Sequence, residues 1–281
     1  DYVNTNASGT AALLEGVLRR RVERLVVASS MSLYGEGQYR GADGHADVDM
    51  ARRGRTLEQL RRGEWDIVDE QGAMLVPAPT PESKPPCLES VYALSKYDQE
   101  RLSLIVGRAY DIPTVALRFF NVYGPRQALS NPYTGVLAIF ASRILNGQPP
   151  LIFEDGRQQR DFVNVHDVVS ACALAMESQR AVGQAINIGS GKPRTILEIA
   201  RSMASAMGRP HLDPDIPGKY RMGDVRHCYA DISLARELLG YEPKIGFEGG
   251  LGELVRWLEG QMAKDRVAEA RAELETRGLT I

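Results

Sequence analysis

Cysteine is scarce: Cys87, Cys172 and Cys228 are the only three in 281 residues. Their number is odd, their spacing wide, and no C-x-x-C occurs. This excludes a disulfide framework or a structural zinc site, and three reduced thiols in a cytoplasmic protein are expected instead. Histidine is nearly as sparse. His45, His166, His211 and His227 show neither H-x-x-x-H nor H-x-x-E-H spacing, so no metal is expected. Neither charge is in large excess, with 34 Lys and Arg against 36 Asp and Glu and a formal charge of −2. Without a basic stripe, nucleic acid is not an expected partner. No apolar run reaches the roughly 18 to 20 residues that span a bilayer, because even Leu102 to Phe120 is broken by Arg108, Asp111 and Arg118. No membrane partner and no signal peptide are expected. An initiator methionine is missing too: the chain opens on Asp1, and Ala7 to Arg20 already reads as an amphipathic helix with Leu13, Leu14, Val17 and Leu18 on one side.

What is present is an ordinary globular composition, 43% apolar and 25% charged. Short apolar runs alternate with helical periods. Arg24 to Ser29, Thr114 to Phe119, Arg160 to Asn164 and Gln184 to Gly189 read as strands, the first two as strands buried on both faces. Val91 to Tyr110, Val136 to Asn146, His166 to Met176 and Ile196 to Met207 read as helices, the first stopped by Asp111 and Pro113. This alternation predicts an α/β fold with a parallel sheet.

Gly35 to Pro86 breaks the rhythm. It is polar, rich in Arg, Gly, Asp and Pro, and too long for an ordinary loop, so an inserted excursion with some structure, or a mobile lid, is expected. Gly35, Gly37 and Gly41 imitate a dinucleotide fingerprint, but that motif must open a helix, and Gly41 leads into ADGHADVD, which has no apolar period. The match is read as a decoy. The tail from Gln261 to Leu279 reads as a solvated surface helix.

Tyr92 and Lys96 stand one turn apart on one face of a predicted helix, which suits proton transfer, since a fixed ammonium can lower a phenol's pKa from about 10. Ser29 and Ser30 fall where a buried strand ends, and Phe119, Phe120 and Asn121 where the next one does. The rim at the carboxyl ends of parallel strands is where such sheets bind ligands.

The ordered blocks N-x-N-x-x-G-T (Asn4 to Thr10), S-S-x-x-x-Y-G (Ser29 to Gly35), Y-A-L-S-K (Tyr92 to Lys96) and R-F-F-N-V-Y-G-P-R (Arg118 to Arg126) continue through D-G-R-Q-Q-R-D-F-V-N-V-H-D (Asp155 to Asp167), N-I-G-S-G (Asn187 to Gly191) and R-M-G-D (Arg221 to Asp224). In these the chain resembles the NAD-dependent nucleotide-sugar epimerases and dehydratases, extended short-chain dehydrogenases/reductases. Its long excursion resembles that of a subgroup described as dTDP-L-rhamnose 4-epimerases, in the Y-G-E-G at Tyr34 and the G-E-W at Gly63 to Trp65. The cysteine pairs of that subgroup are not in this excursion, so a zinc ribbon is excluded.

The resemblance implies a Rossmann-like doubly wound parallel sheet with a smaller C-terminal α/β substrate-binding region, divided as residues 1–125 with the excursion at 35–86, and residues 126–281. It implies NAD as cofactor, a dTDP- or UDP-linked sugar as substrate, a homodimer and a cytoplasmic location. Tyr92 would be the acid/base, Lys96 the residue that lowers its pKa and holds the nicotinamide ribose, and Ser30 the hydroxyl that shares the proton. Asn6, Ser29 and Phe119 would stand with Tyr92 and Lys96 on the cofactor side, Asn6 either supporting the lysine or serving its own helix. Asn121, Arg160 and Arg221 would meet the nucleotide diphosphate, the arginines by their planar fork or, alternatively, as structural salt bridges. Asp224 would partner a ribose or a guanidinium, and Phe153 would pack on the base or in the core.

The family's G-x-x-G-x-x-G is not in the chain. Roughly 80 to 100 residues of strand-helix units would carry it ahead of Asp1, together with the residue that selects NAD over NADP, and without them the chain is expected to bind NAD weakly and to be inactive. The implied reaction is oxidation at C4 of the sugar and return of the hydride to the other face. A 4,6-dehydratase would need an Asp-Glu pair where Met31 and Ser32 stand. A decarboxylase or reductase keeps the same Ser, Tyr and Lys, and a binding or scaffold protein that lost its cofactor half is the reading from another class.

Overall fold

The computed structural model describes residues 2–41, 44, 54–128, 135–221 and 223–260. The helix expected over Gln261 to Leu279 lies outside them, as does the middle of the excursion. Two sheets organise the chain. The first is parallel and has three strands in the order β1 (Leu25–Ser30), β4 (Thr114–Phe119), β7 (Ala185–Ile188). β4 runs in the middle and is buried almost throughout, as its unbroken TVALRF predicts.

Alternation along β4 decides what covers each face. Val115 and Leu117 point into a core shared with Val168, Ala171 and Ala175 of α5 (Val165–Glu177). Thr114 and Arg118 point the other way, to Gly107 and Glu100 of α3 (Val91–Ala109). Helices thus cover both faces, the doubly wound Rossmann-like arrangement. A glycine at position 107 is required by contact, since a Cβ there would lie 2.7 Å from the Cβ of Thr114. α3 begins at Ser90, whose hydroxyl accepts from the Ala93 N–H at 3.1 Å as an N-cap. That start places Tyr92 in its first turn.

The N-terminal helix is in two parts. A π-helical stretch, Val3–Ser8, runs into α1 (Gly9–Arg19). The expected apolar side of α1 is divided: Leu14 and Val17 are buried, whereas Leu13 and Leu18 are exposed. α3 likewise presents Val91, Leu94, Leu102 and Ile105 to solvent, within about 80° of one another at 100° per residue and opposite its buried face.

The second sheet joins β5 (Asn121–Tyr123), β6 (Gln159–Asn164) and β8 (Pro193–Thr195), with β9 (His227–Cys228) paired to β6. β6 connects the two halves of the core: Val163 belongs to the first, while Phe162 belongs to a second core with α4 (Val136–Leu145), α6 (Ile196–Ala206) and α8 (Phe247–Leu258). α6 opens with a capping box between Thr195 and Glu198. The short α7 (Ser233–Leu239) packs on the first core through Ala235 and Leu239.

The described part of the excursion is structured. β2 (Gln38–Arg40) and β3 (Val76–Ala78) form an antiparallel pair, α2 (Leu57–Arg61) lies between them, and Tyr39, Ile67 and Leu75 make a small core. The segment after Gly37 is therefore a strand and not a helix. Gly37 donates its N–H to the His227 carbonyl at 2.7 Å, and a Cβ there would meet that same oxygen at 2.7 Å. Its glycine serves a close backbone approach, which agrees with the rejection of the fingerprint.

Candidate active site

The ends of β1 and β4 and the first turns of α3 form one rim. Ser30 closes β1 and caps the following 3-10 turn, Met31–Tyr34, accepting from the Ser32 N–H at 3.2 Å and from the Ser32 hydroxyl at 2.9 Å. Tyr92 stands in the first turn of α3, and Ser30 is among the groups that act on its phenol. The ring is 38% exposed and stands edge-on to Tyr2, their centroids 5.3 Å apart. Lys96, one turn on, donates to the Ala28 carbonyl and the Gln99 amide oxygen.

Burial raises the Tyr92 phenol above its ordinary value of 10.0, with Ser30 pulling it down and Tyr2 pushing it up. Burial lowers the Lys96 ammonium below 10.5. Both shifts favour the neutral form, as desolvation does. Lys96 is turned to Ala28 and Gln99, so the protein by itself does not lower the phenol as the resemblance implied.

Asn6 donates to the Ser95 hydroxyl at 3.1 Å, and Ser95 donates to the Tyr92 carbonyl at 2.9 Å. It steadies the turn between Tyr92 and Lys96 instead of facing a ligand. Gln99, which holds Lys96, also donates to Thr10 at 3.2 Å. Ser29 corrects the expectation of a rim contact: it is buried, and its hydroxyl donates inward to Glu100 at 2.6 Å. Phe119 is half-buried against the first core.

On the second sheet, Asn121 has a buried Oδ1 with no hydrogen-bond partner, and Gln127 a buried Nε2 in the same condition. Buried polar atoms are paired in the great majority of cases, and among the described residues Ser142, Gln158, Asn164 and Tyr220 carry unpaired ones as well. Arg160 donates to the carbonyls of Gln159 at 2.9 Å, Arg226 at 3.1 Å and Val225. No carboxylate pairs with it among the described residues, so its charge is available and the salt-bridge alternative does not hold. Arg221 does make an ion pair: Nη2 donates to Asp224 Oδ1 at 2.9 Å in an exposed pair, which leaves both roles open to it. Asp224 is thus a guanidinium partner. Phe153 is half-buried and lies outside the two large cores.

Other motif residues prove structural. Asp161 is fully buried and accepts from Ser190 N at 2.7 Å, Ser190 Oγ at 2.6 Å, Gly191 N at 2.9 Å and Ala230 N at 3.2 Å, tying N-I-G-S-G to β6. Asn187 accepts from the Tyr34 hydroxyl at 2.8 Å.

A charge network absent from the sequence reading joins the excursion to this region. Arg226, fully buried, donates to Asp66 at 2.9 Å, Glu154 at 3.0 Å, and Asp155 at 2.6 and 2.9 Å. Arg55 donates to Glu154 at 2.6 Å, and Glu36 accepts from the N–H groups of Arg226 at 2.7 Å and His227 at 3.2 Å. The His227 ring, its Nε2 3.7 Å from Asp66 Oδ1, leads the influences that hold the Asp66 carboxyl well below its ordinary range, whereas burial pushes Glu154 up against the pull of Arg55.

Comparisons with known proteins agree with this geometry. Residues 73–189 match the NAD dependent epimerase/dehydratase family. A dTDP-L-rhamnose 4-epimerase of Burkholderia thailandensis is 35% identical over 255 residues, 90% of this chain and 68% of that protein. A UDP-glucose 4-epimerase of Mycolicibacterium smegmatis is 35% identical over 64% of this chain, which spans 56% of that relative's length. Among solved structures, the UDP-glucose 4-epimerase of Thermotoga maritima with UDP-glucose superposes with a TM-score of 0.71 at 32% identity, over 92% of this chain and 70% of the other. UDP-glucuronic acid 4-epimerase of Bacillus cereus in complex with NAD gives 0.69 at 25% identity, over 92% and 68%. A Tyr and Lys on one helix, a Ser at the facing strand end and this extent of likeness have one common account: the chain belongs to the NAD-dependent epimerase/dehydratase family.

Proposed function

We propose that the chain carries the catalytic and substrate-binding part of a nucleotide-sugar 4-epimerase acting on a dTDP- or UDP-linked sugar, as the relatives named above do. The observation that carries this is the placing of Tyr92 and Ser30 on one rim at the mouth of the parallel sheet, with Lys96 one helical turn on. The donor set suits NAD. Lys96 has three N–H bonds, of which Ala28 and Gln99 take two, leaving one for a ribose hydroxyl. Asn6 and Gln99 hold the helix turn that presents it. Phe119 supplies an apolar wall. When bound, NAD supplies hydride acceptance and return and a positive ring charge.

The chain's own residues handle the proton and the position. Tyr92 takes the proton of the C4 hydroxyl and returns it, with the Ser30 hydroxyl at the facing strand end as the group that shares it. Cationic charge near the phenol lowers a pKa that burial holds high. Asn121, Arg160 and Arg221 hold the diphosphate, and Phe153 packs on the pyrimidine, leaving C4 at the rim. This assigns residues 1–125 to cofactor and chemistry and 126–281 mainly to the substrate.

Inversion without dehydration follows from what stands after Ser30. Met31 is apolar and Ser32 donates a neutral hydroxyl to Ser30 at 2.9 Å. Neither can eliminate water from C5 and C6. A homodimer is proposed on the solvent-facing apolar residues of α1 and α3, and a cytoplasmic location on the reduced cysteines. The test is product analysis with dTDP-L-rhamnose, UDP-glucose and UDP-glucuronic acid. The C4 epimer of one of them is expected. A 4-keto-6-deoxy sugar or carbon dioxide would overturn the assignment.

A further inference from the structure

We infer that Arg55, in the excursion, is a positioning residue for the nucleotide half of the substrate, an inference that rests on the site reading above. Its side chain is only 3% exposed, so the guanidinium acts through its neighbours. Nη1 donates to the Glu154 carboxylate at 2.6 Å and to the Trp65 carbonyl at 3.2 Å, and Nη2 donates to the Asp224 carbonyl at 2.7 Å. One planar group therefore ties three segments that are far apart in sequence. Two of them carry proposed nucleotide contacts: Glu154 follows Phe153, and Asp224 holds Arg221 at 2.9 Å.

Glu154 explains why such a tie is needed. Its φ is +58°, a left-handed conformation that a residue with a Cβ rarely adopts without outside restraint. The restraint is the pair of buried arginines, Arg55 on one carboxylate oxygen and Arg226 on the other at 3.0 Å. The backbone N–H of Glu154 donates to Lys219 at 2.7 Å, and Trp65 of the excursion stands 6.2 Å from the Tyr220 ring. The left-handed turn sets the direction in which Phe153 leaves the loop. Arg55 thus fixes the aromatic face for the base and the arginine for the phosphates in one arrangement, and the excursion is the part of the chain that delivers it.

The test is calorimetric titration of UDP into the full chain and into Arg55→Lys, Phe153→Ala and the double variant, with thermal midpoints for each. Arg55→Lys keeps the charge and loses the fork. Titrated well below the midpoint of each variant, it is expected to weaken UDP binding about tenfold, and to weaken it less in the Phe153→Ala background, because part of its effect runs through Phe153. Should Arg55→Lys fail to fold, Arg55→Met with Glu154→Gln removes the tie and replaces the buried pair by neutral groups, a change folds commonly tolerate. Unchanged UDP affinity in whichever variant folds overturns the role of Arg55 and leaves the site reading standing, provided Phe153→Ala still weakens binding. Additive losses, or affinity falling only with the midpoint, make Arg55 a general structural residue and overturn its positioning role. If the parent chain binds no UDP, the nucleotide reading itself fails and this inference with it.

Discussion

Arg118 holds Glu100 by two parallel hydrogen bonds, Nε to Oε2 at 2.9 Å and Nη2 to Oε1 at 2.7 Å, with both side chains almost wholly buried. The pair locks α3 to the central strand. Glu100 lies one turn beyond Lys96 and also accepts from Ser29, so the helix that bears Tyr92 and the strand that bears Ser30 share one anchor. Glu100→Ala leaves a guanidinium buried and unpaired and should cost about 3 to 5 kcal/mol, read as a lower midpoint in urea unfolding. A change below about 1 kcal/mol would mean that α3 is fixed by apolar packing alone.

Tyr92→Phe keeps the ring and removes the phenol. Turnover of the protein as its gene encodes it should fall by about 10² to 10⁴, the range for losing an acid/base group. Stability should move by about 1 kcal/mol at most, the worth of one hydrogen bond. Steady-state kinetics beside a thermal melt checks both. Near-parental turnover removes Tyr92 from the chemistry.

His227 gives the excursion a pH dependence. Its Nδ1 accepts from the Gln159 N–H at 3.2 Å and is therefore unprotonated, and burial keeps its pKa below the ordinary 6.5. Since the unfolded chain takes up the proton first, this contribution is present in full above pH 6.5 and is lost as pH falls through the folded value. Asp66, with its carboxyl held low chiefly by the neighbouring His227 ring, acts in the same direction at lower pH. The thermal midpoint should fall from about pH 7 to 5, and His227→Gln should flatten that fall. A midpoint independent of pH over that interval contradicts the buried neutral imidazole.

Two glycines should respond with opposite signs. At Gly37 a Cβ would lie 2.7 Å from the His227 carbonyl and 2.9 Å from the Cys228 Cα, so Gly37→Ala should destabilise by about 1 to 3 kcal/mol. At Gly16, within α1, nothing lies within 4 Å, and Gly16→Ala should stabilise by about 0.5 to 1 kcal/mol. Denaturant midpoints decide both.

The parallel sheet was legible because burial on both faces leaves uninterrupted apolar runs: TVALRF over Thr114 to Phe119 is β4 to the residue. Helices α3, α4 and α6 came within a residue or so of expectation, since periodicity and caps are local. The places of Tyr92 and Lys96 on one helix and of Ser30 at a strand end were legible because they depend on short spacings. The Arg55, Arg226, Glu154 and Asp66 network was not. Its partners lie 71 to 160 residues apart, and a charge in a polar stretch looks solvated until the fold brings its partner to it. Ser29 was misplaced for a related reason: a strand end shows where a hydroxyl is, but Glu100 on another element decides which way it points. Gln127 left no signal beyond its place after G-P-R.

The central claim, that C4 is oxidised and re-reduced in one site, is tested most directly by isotope retention. The gene-encoded protein is incubated with NAD and with whichever substrate it inverts, carrying deuterium at C4, and the product is read by NMR. The account predicts that the epimer keeps its deuterium at C4 and takes up none from heavy water in an unlabelled run. Loss of the label to solvent, or solvent deuterium at C4, would contradict it and require removal of C4–H as a proton.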